Sequence, residues 1–394
     1  MLLGIVVGAW LCAGSNAAHA ADWPHFRGPN RNGISSETAW NAQFGSNPRK
    51  LWTAQVGEGY SSMAVVGGRL YTMGNAGNQD TVWCLDAMTG RVVWKYSYPH
   101  EPGGAGYSGP RATPTVADGR VYTLSNLGRA LCLDAANGRV IWQADLRAQT
   151  GAAVPQWGFA GSPLVEGGLV IYNLGEAGTA VDKATGRIRW KSGTGASGYA
   201  TPVPYVLGGK RLVVIFGAKS VFAVDPATGR KAWEHPWNTM YDVNAADPQF
   251  AGTDVFISSN YNRGGALLRT ASGRPQVVWE NREMRTHFNA VVIVGGHLYG
   301  NDEGRLRCVD LRTGAGRWEM RGMGKGGVIA AGGKLIGITE RGELFTAEAT
   351  PMAFREISRA QVLRGTCWTQ PALANGIIYV RSHEGELAAI DVRR

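Results

Sequence analysis

An eleven-residue pattern returns along this chain, and a sequence that repeats itself every 40 to 50 residues or so has few ways to fold. It reads CLDAMTGRVVW ending at Trp94, CLDAANGRVIW at Trp142, AVDKATGRIRW at Trp190, AVDPATGRKAW at Trp233 and CVDLRTGAGRW at Trp318. In every copy Gly follows Asp by four positions and Trp by eight. The apolar residue two before the Asp ends one strand. The Asp and Gly reverse the chain, because Asp can hydrogen-bond the turn's own backbone and Gly accepts a positive φ. The next strand carries the Trp, whose large flat ring can wedge between neighbouring sheets if its N–H finds a fixed acceptor.

A second hairpin precedes each of these, as in VVGGRLYTMG, VADGRVYTLS, VEGGLVIYNL and VGGHLYGND, so each unit supplies four strands. Four-stranded units repeated about an axis make a propeller. Three further units are degenerate. ALLRTASGRPQVVW, ending at Trp279, has lost the Asp; LFTAEATPMAFREI offers Phe354 in place of Trp; and the last unit, LAAIDVRR, stops at Arg394 before its Trp. RKLWTAQV around Trp52 has the character of the missing strand, and pairing it with the last unit closes the ring and removes two open sheet edges. The expected fold is therefore all-β: an eight-bladed β-propeller of four-stranded blades, closed by an N-terminal strand joining the last blade. An open solenoid and a seven-bladed ring are the competing arrangements. Gly 56, Trp 14 and only 18% charged residues suit many short strands joined by tight turns.

Residues 1–20, MLLGIVVGAWLCAGSNAAHA, form an apolar run ending in an A-x-A site, and read as a signal peptide; an uncleaved anchor is the rival. Cys12 lacks the preceding small residue of a lipoprotein signal. Residues 21–48 form a leader and 49–394 a single propeller domain. No later stretch is apolar for the roughly 18 residues a spanning helix needs, so the expected location is periplasmic or secreted, and the expected state monomeric. The formal charge of +10 suits anionic glycans, cell-wall polymers, membrane surfaces or acidic partners, with a solvated basic surface as the plainer reading. The Arg and Lys residues are scattered through turns rather than grouped with aromatics, which argues against nucleic acid.

The A-x-D-x-x-T-G-x-x-x-W pattern resembles the tryptophan-docking repeat of quinoprotein dehydrogenases and of the propeller lipoprotein of the outer-membrane barrel assembly machinery. The leader segment WPHFRGPNRNG (Trp23 to Gly33) and the C-terminal GELFTAEA and RAQVLRGTCWTQPALANGIIYVRSHEGELAAID look similar to a widespread group of secreted PQQ-like propellers. The dehydrogenase branch of this resemblance implies pyrroloquinoline quinone (PQQ) over a Trp floor, a calcium ion with carboxylate and amide ligands, an Asp base, and a disulfide between adjacent cysteines. The mature cysteines, Cys84, Cys132, Cys308 and Cys367, are not adjacent, and three of them occupy one repeat position where other units carry Ala180 and Ala223. Small buried packing residues are the simpler reading.

The connections entering the innermost strands should converge on one mouth of the channel. They carry Tyr60, Tyr107, Arg111, Trp157, Tyr199, Tyr241, Asp242, Asn244, Arg285, His287, Asn289, Lys325, Cys367 and Trp368. The candidate cofactor- or ligand-binding set is Arg111, Trp157, Arg285, His287, Asn289, Lys325 and Trp368, with Trp157 and Trp368 as stacking faces and Arg111, Arg285 and Lys325 as counter-charges. Asp242 and Asn244 are too few oxygens for a hard cation, and His287 alone is as well read as a hydrogen-bonded rim residue. No Ser-His-Asp, HExxH or phosphate-loop signature is present, so catalytic and metal residues are not assigned. Three functions stay open: a non-catalytic binding or scaffold protein acting through its loop face, a PQQ-dependent alcohol or sugar dehydrogenase, and a small-ligand or glycan binder.

Overall fold

The structure, a computed structural model, describes residues 21–100 and 106–394; the proposed signal peptide lies outside the described residues. Eight antiparallel four-stranded sheets follow one another along the chain. Blade one runs from Ala64–Val66 to Val92–Pro99, and blade eight is built from Ala372–Ala374, Ile377–Arg381, Glu386–Asp391 and, as its outermost strand, Lys50–Gln55. Trp52 pairs with Ala389 across that last hairpin, so the chain's beginning closes its end as expected. Among the described residues, helix is limited to one turn at Leu146–Thr150 and a 3-10 turn at Met240–Asp242.

Each part of the repeat has a visible role. Asp86 Oδ1 accepts from the backbone N–H groups of Met88 and Thr89, and Asp182 and Asp225 do the same in their own turns. Gly90, Gly138, Gly186, Gly229 and Gly314 all sit at φ near +70°, where an L side chain is strained. The glycine has a second reason to be there. A Cβ on Gly138 would come within 2.6 Å of Trp94, and one on Gly90 within 2.6 Å of Trp52, because the indole of each blade lies flat on the turn of the next. The indole N–H then donates to a carbonyl of that turn: Trp52 to Ala87, Trp94 to Ala135, Trp142 to Lys183, Trp190 to Pro226, Trp279 to Leu311 and Trp318 to Thr350, at 2.8–3.0 Å. Cys84, Cys132 and Cys308 face Trp94, Trp142 and Trp318 across the outer strand pair, and with Cys367 they are the four cysteines among the described residues, all buried free thiols.

Two interfaces depart from the rule. Trp233 meets the degenerate turn of blade five and its buried Nε1 has no partner, since the turn that lost its Asp presents no carbonyl there. In blade seven the register pairs Thr346 with Ser358, the pair equivalent to Cys84 with Trp94. Phe354 therefore does not stand at the tryptophan position. It packs instead against Trp318 at 5.7 Å, and Ser358 occupies the place. The leader fills the gap: Gly45 N–H donates to Ser358 Oγ, Thr346 Oγ1 to the Ala42 carbonyl, and Asn41 N–H to Val392 of blade eight. Trp40, 3% exposed, packs in the same cluster as both blades.

Upstream of that staple the leader enters the channel. Trp23 pairs with Val65 of blade one, the Pro24 carbonyl accepts from Val116 of blade two, and Ile34–Ser35 adds a parallel fifth strand to the inner edge of blade seven. Arg27, fully buried, donates to the Ala290 and Val291 carbonyls of blade six and to the side chains of Gln249 and Gln370. The channel is thus filled on its axis by the chain's own N-terminal segment.

The docking rule predicts unequal losses for one chemical change. Trp142→Phe removes a satisfied N–H and strands the Lys183 carbonyl, whereas Trp233→Phe removes an N–H that had no partner. Trp142→Phe should cost about 1 kcal/mol more, read from urea denaturation midpoints.

Candidate functional site

The loops entering the inner strands build a cup over the leader. Phe26 forms part of its base, and its walls carry Tyr60, Tyr107, Trp157, Tyr199, Tyr261, Phe288 and Trp368. The cup offers about 190 Å³ to the centre of a water molecule and is open on the loop face. One side is a row of rings: His383, Tyr60, Trp368, Phe288 and His287 follow one another at centroid distances of 4.4, 5.5, 5.3 and 3.8 Å. Across the ring Trp157 meets Tyr199 and Tyr241 only at tilted or edge-on angles.

One arc of the base is polar and regular. From blade two to blade five, the residue two before the inner strand offers an oxygen to the backbone of the blade before it. Ser62 N–H donates to Thr113 Oγ1, Thr113 N–H to Ser162 Oγ, Ser162 N–H to Thr201 Oγ1, and Thr201 N–H to Asp247 Oδ1. Repeat geometry explains this belt, because equivalent positions of successive blades stand at one height around the axis. Asp247 is 4% exposed and its Oδ2 has no partner. Burial pushes its carboxyl up to about 6, against the pull of Arg27 and Arg31; the same burial lowers those two guanidinium groups to about 10. His287 is driven down to about 3, first by burial and then by Lys325, so it is neutral, with Nδ1 unpartnered. Burial raises the Tyr60 and Tyr199 phenols to about 12.

Of the seven candidates, Arg111, Trp157, His287, Asn289, Lys325 and Trp368 line this one cup. Arg285 does not. Its guanidinium is held by Asp302 at 2.8 Å and Glu303 at 2.8 Å, so it is neutralised outside the cup. Asn289 acts through its neighbours: Nδ2 donates to the Lys325 and Trp368 carbonyls and pins both loops. Trp368 is not an open platform, since Tyr60 stacks on it and the Lys325 ammonium lies 4.4 Å over its ring. Asp242 pairs with Lys219, and Asn244 Oδ1 accepts from Ser259 Oγ and Thr239 Oγ1, so both oxygens are already engaged. Sequence reasoning missed Tyr261, Phe288, Phe26 and Asp247. The Asp-Pro at 247–248 does align with Thr-Pro, Ser-Pro and Gln-Pro at the other inner-strand entries, a signal that was available.

The family model described as outer membrane protein assembly factor BamB matches residues 33–96 and 99–320, well over half of the chain. The chain belongs to this family. No curated protein sequence matches it. Among solved structures it is similar to BamB from Moraxella catarrhalis, at 16% identity and TM-score 0.66 over 88% of this chain and 98% of that one. It is equally similar to the quinohemoprotein alcohol dehydrogenase of Comamonas testosteroni, at 16% identity and TM-score 0.71 over 96% and 81%. A europium-containing methanol dehydrogenase aligns at 15% identity and TM-score 0.70 over 94% and 89%. At such identities these likenesses establish the eight-bladed fold and no more.

The residues present do not fit the quinone that the dehydrogenase branch implies. The floor is Phe26 and a belt of hydroxyls rather than an open indole, Trp368 is engaged by its own neighbours, and the cysteines are buried and separate. Among the described residues no three His, Cys, Asp or Glu side chains group as ion ligands.

Asp247 gives a signed pH dependence. Its folded-state value lies above the unfolded one of about 3.9, so between roughly pH 4 and 6 the fold holds a proton that the unfolded chain releases. This single group therefore makes stability fall as pH rises through that window. Asp247→Asn should flatten that part of the profile, measured as the variant-minus-parent difference in denaturation free energy at about pH 4.5 and about pH 7.

Proposed function

We propose that this propeller is an exported, non-catalytic binding protein that holds an envelope protein or polymer through the cup on its loop face. The observation that carries the reading is the leader. By filling the channel on its axis it turns a pore into a preformed cup, closed below by Phe26 and lined by rings already packed on one another. Preformed, mostly apolar concavities with a few placed polar groups are what binding sites are made of. The family description, an assembly factor, is in keeping with a binding role.

The alternative, a PQQ-dependent dehydrogenase, draws on the shared fold alone. Titrating the mature protein with PQQ and calcium separates the two. The binding reading expects no saturable quenching of tryptophan fluorescence and no reduction of a dye by alcohols or sugars. Stoichiometric quinone binding with substrate-dependent dye reduction would overturn it.

A further inference from the structure

Resting on that reading, we propose that the cup's occupant is a carboxylate-bearing sugar residue, the terminal acidic unit of an anionic glycan.

The cup holds two cations that its own carboxylates do not answer. Arg111 donates to the Gly109 and Tyr107 carbonyls and lies over the Tyr60 ring at 5.9 Å, while the Lys325 ammonium stands over Trp368 at 4.4 Å and Phe288 at 5.4 Å. None of the nearby acids forms an ion pair with either. Asp80, whose charge acts on Arg111, is bonded to His100 and Asn75, Asp242 pairs with Lys219, Asp302 pairs with Arg285 and Arg307, and Glu340 takes Trp368 Nε1 and the Lys325 backbone N–H rather than the ammonium. Asp247, at the base, faces the buried Arg27 and Arg31. Partly buried cations over aromatic faces and short of a carboxylate favour an anion, and charge-assisted contacts in such a place are the strong ones.

A simple anion would leave the rest of the cup unused. At its base Thr113 and Ser162 each accept a backbone N–H with the side-chain oxygen, which leaves the hydroxyl proton to give. Asp247 is also among the residues lining the base, with its unpartnered Oδ2 itself buried. Thr113 and Ser162 come from adjacent blades and Asp247 from the second blade beyond, a polar arc suited to hydroxyl groups along the edge of a ring. Trp157 lines the cup four blades from Lys325 and has no stacked neighbour, so it is the indole assigned to the C–H face of a sugar.

A sugar acid satisfies all three features at once. A planar aromatic acid would leave the hydroxyl belt and Asp247 unpaired, and a neutral sugar would leave the cations unanswered; burying a polar group unsatisfied costs binding. Because Phe26 closes the base, a polymer cannot thread through, so recognition is of a chain end.

The test is equilibrium binding to the mature chain by tryptophan fluorescence and calorimetry. Probes are uronate-terminated oligosaccharides, their carboxyl-reduced neutral counterparts, and PQQ as a planar aromatic acid. Uronate-ended chains should bind saturably, at least about tenfold tighter than the neutral forms, with affinity independent of length beyond the terminal unit. Lys325→Gln and Arg111→Gln should each weaken binding by about tenfold or more, and Trp157→Ala should abolish it. Arg285→Gln, a cation outside the cup, should leave binding unchanged, with melting curves verifying that each variant is folded. Equal binding of acidic and neutral forms, indifference to Lys325→Gln, or no uronate binding at about 1 mM overturns the proposal. In that event another probe lost with Trp157→Ala would leave the cup reading standing, whereas PQQ-linked turnover would sink that reading instead.

Discussion

Everything in this molecule hangs on an indole laid against a glycine turn. A ring of separate sheets has no backbone ladder joining one blade to the next, so its closure rests on side-chain packing. Here, at six of the eight interfaces, a Trp buries a broad face and places its N–H on a carbonyl 2.8–3.0 Å away. Glycine is required twice over, by its positive φ and because a Cβ would enter the ring of the docked Trp. Trp52, carried by the first long strand, docks on Gly90 of blade one while its strand completes blade eight, so one residue fastens both ends of the circle.

The leader supplements this device where the repeat fails. Between blades seven and eight, where Ser358 takes the docking position, Trp40 and the backbone from Asn41 to Gly45 occupy the groove, and Glu37 accepts from the Asn375 and Gly376 N–H groups. The same segment, a few residues earlier, carries two arginines into the channel. Removing such charges from water is costly, and Arg27 recovers the cost only by meeting carbonyls and amides from several blades at once. That demand fixes the leader's position on the axis, which in turn sets the depth of the cup above it.

Fold and function separate at this level. The same architecture carries both a protein named for outer-membrane assembly and alcohol-oxidising enzymes. In this chain the cup's floor and cation pair belong to loops and leader rather than to the blades.

The repeats made the blade count, the strand order within each blade and the closure through Trp52 legible in advance, because period, turn chemistry and burial all depend on short-range spacing. The convergence of Arg111, Trp157, His287, Lys325 and Trp368 was legible for the same reason: equivalent loops of a ring must meet on its axis. The displacement of Phe354 from the docking position was not, since a bulge in the outer hairpin shifts register by an amount the turn's length does not reveal. Nor was the loss of Arg285 to Asp302 or the capture of the leader by the channel, contacts between residues far apart in the chain. By itself the sequence determined a closed ring of eight sheets and which loops share a face. Tertiary structure alone decided what fills the hole, which cations stay unanswered and which ring keeps an open face, because those depend on distances between segments that no local pattern encodes.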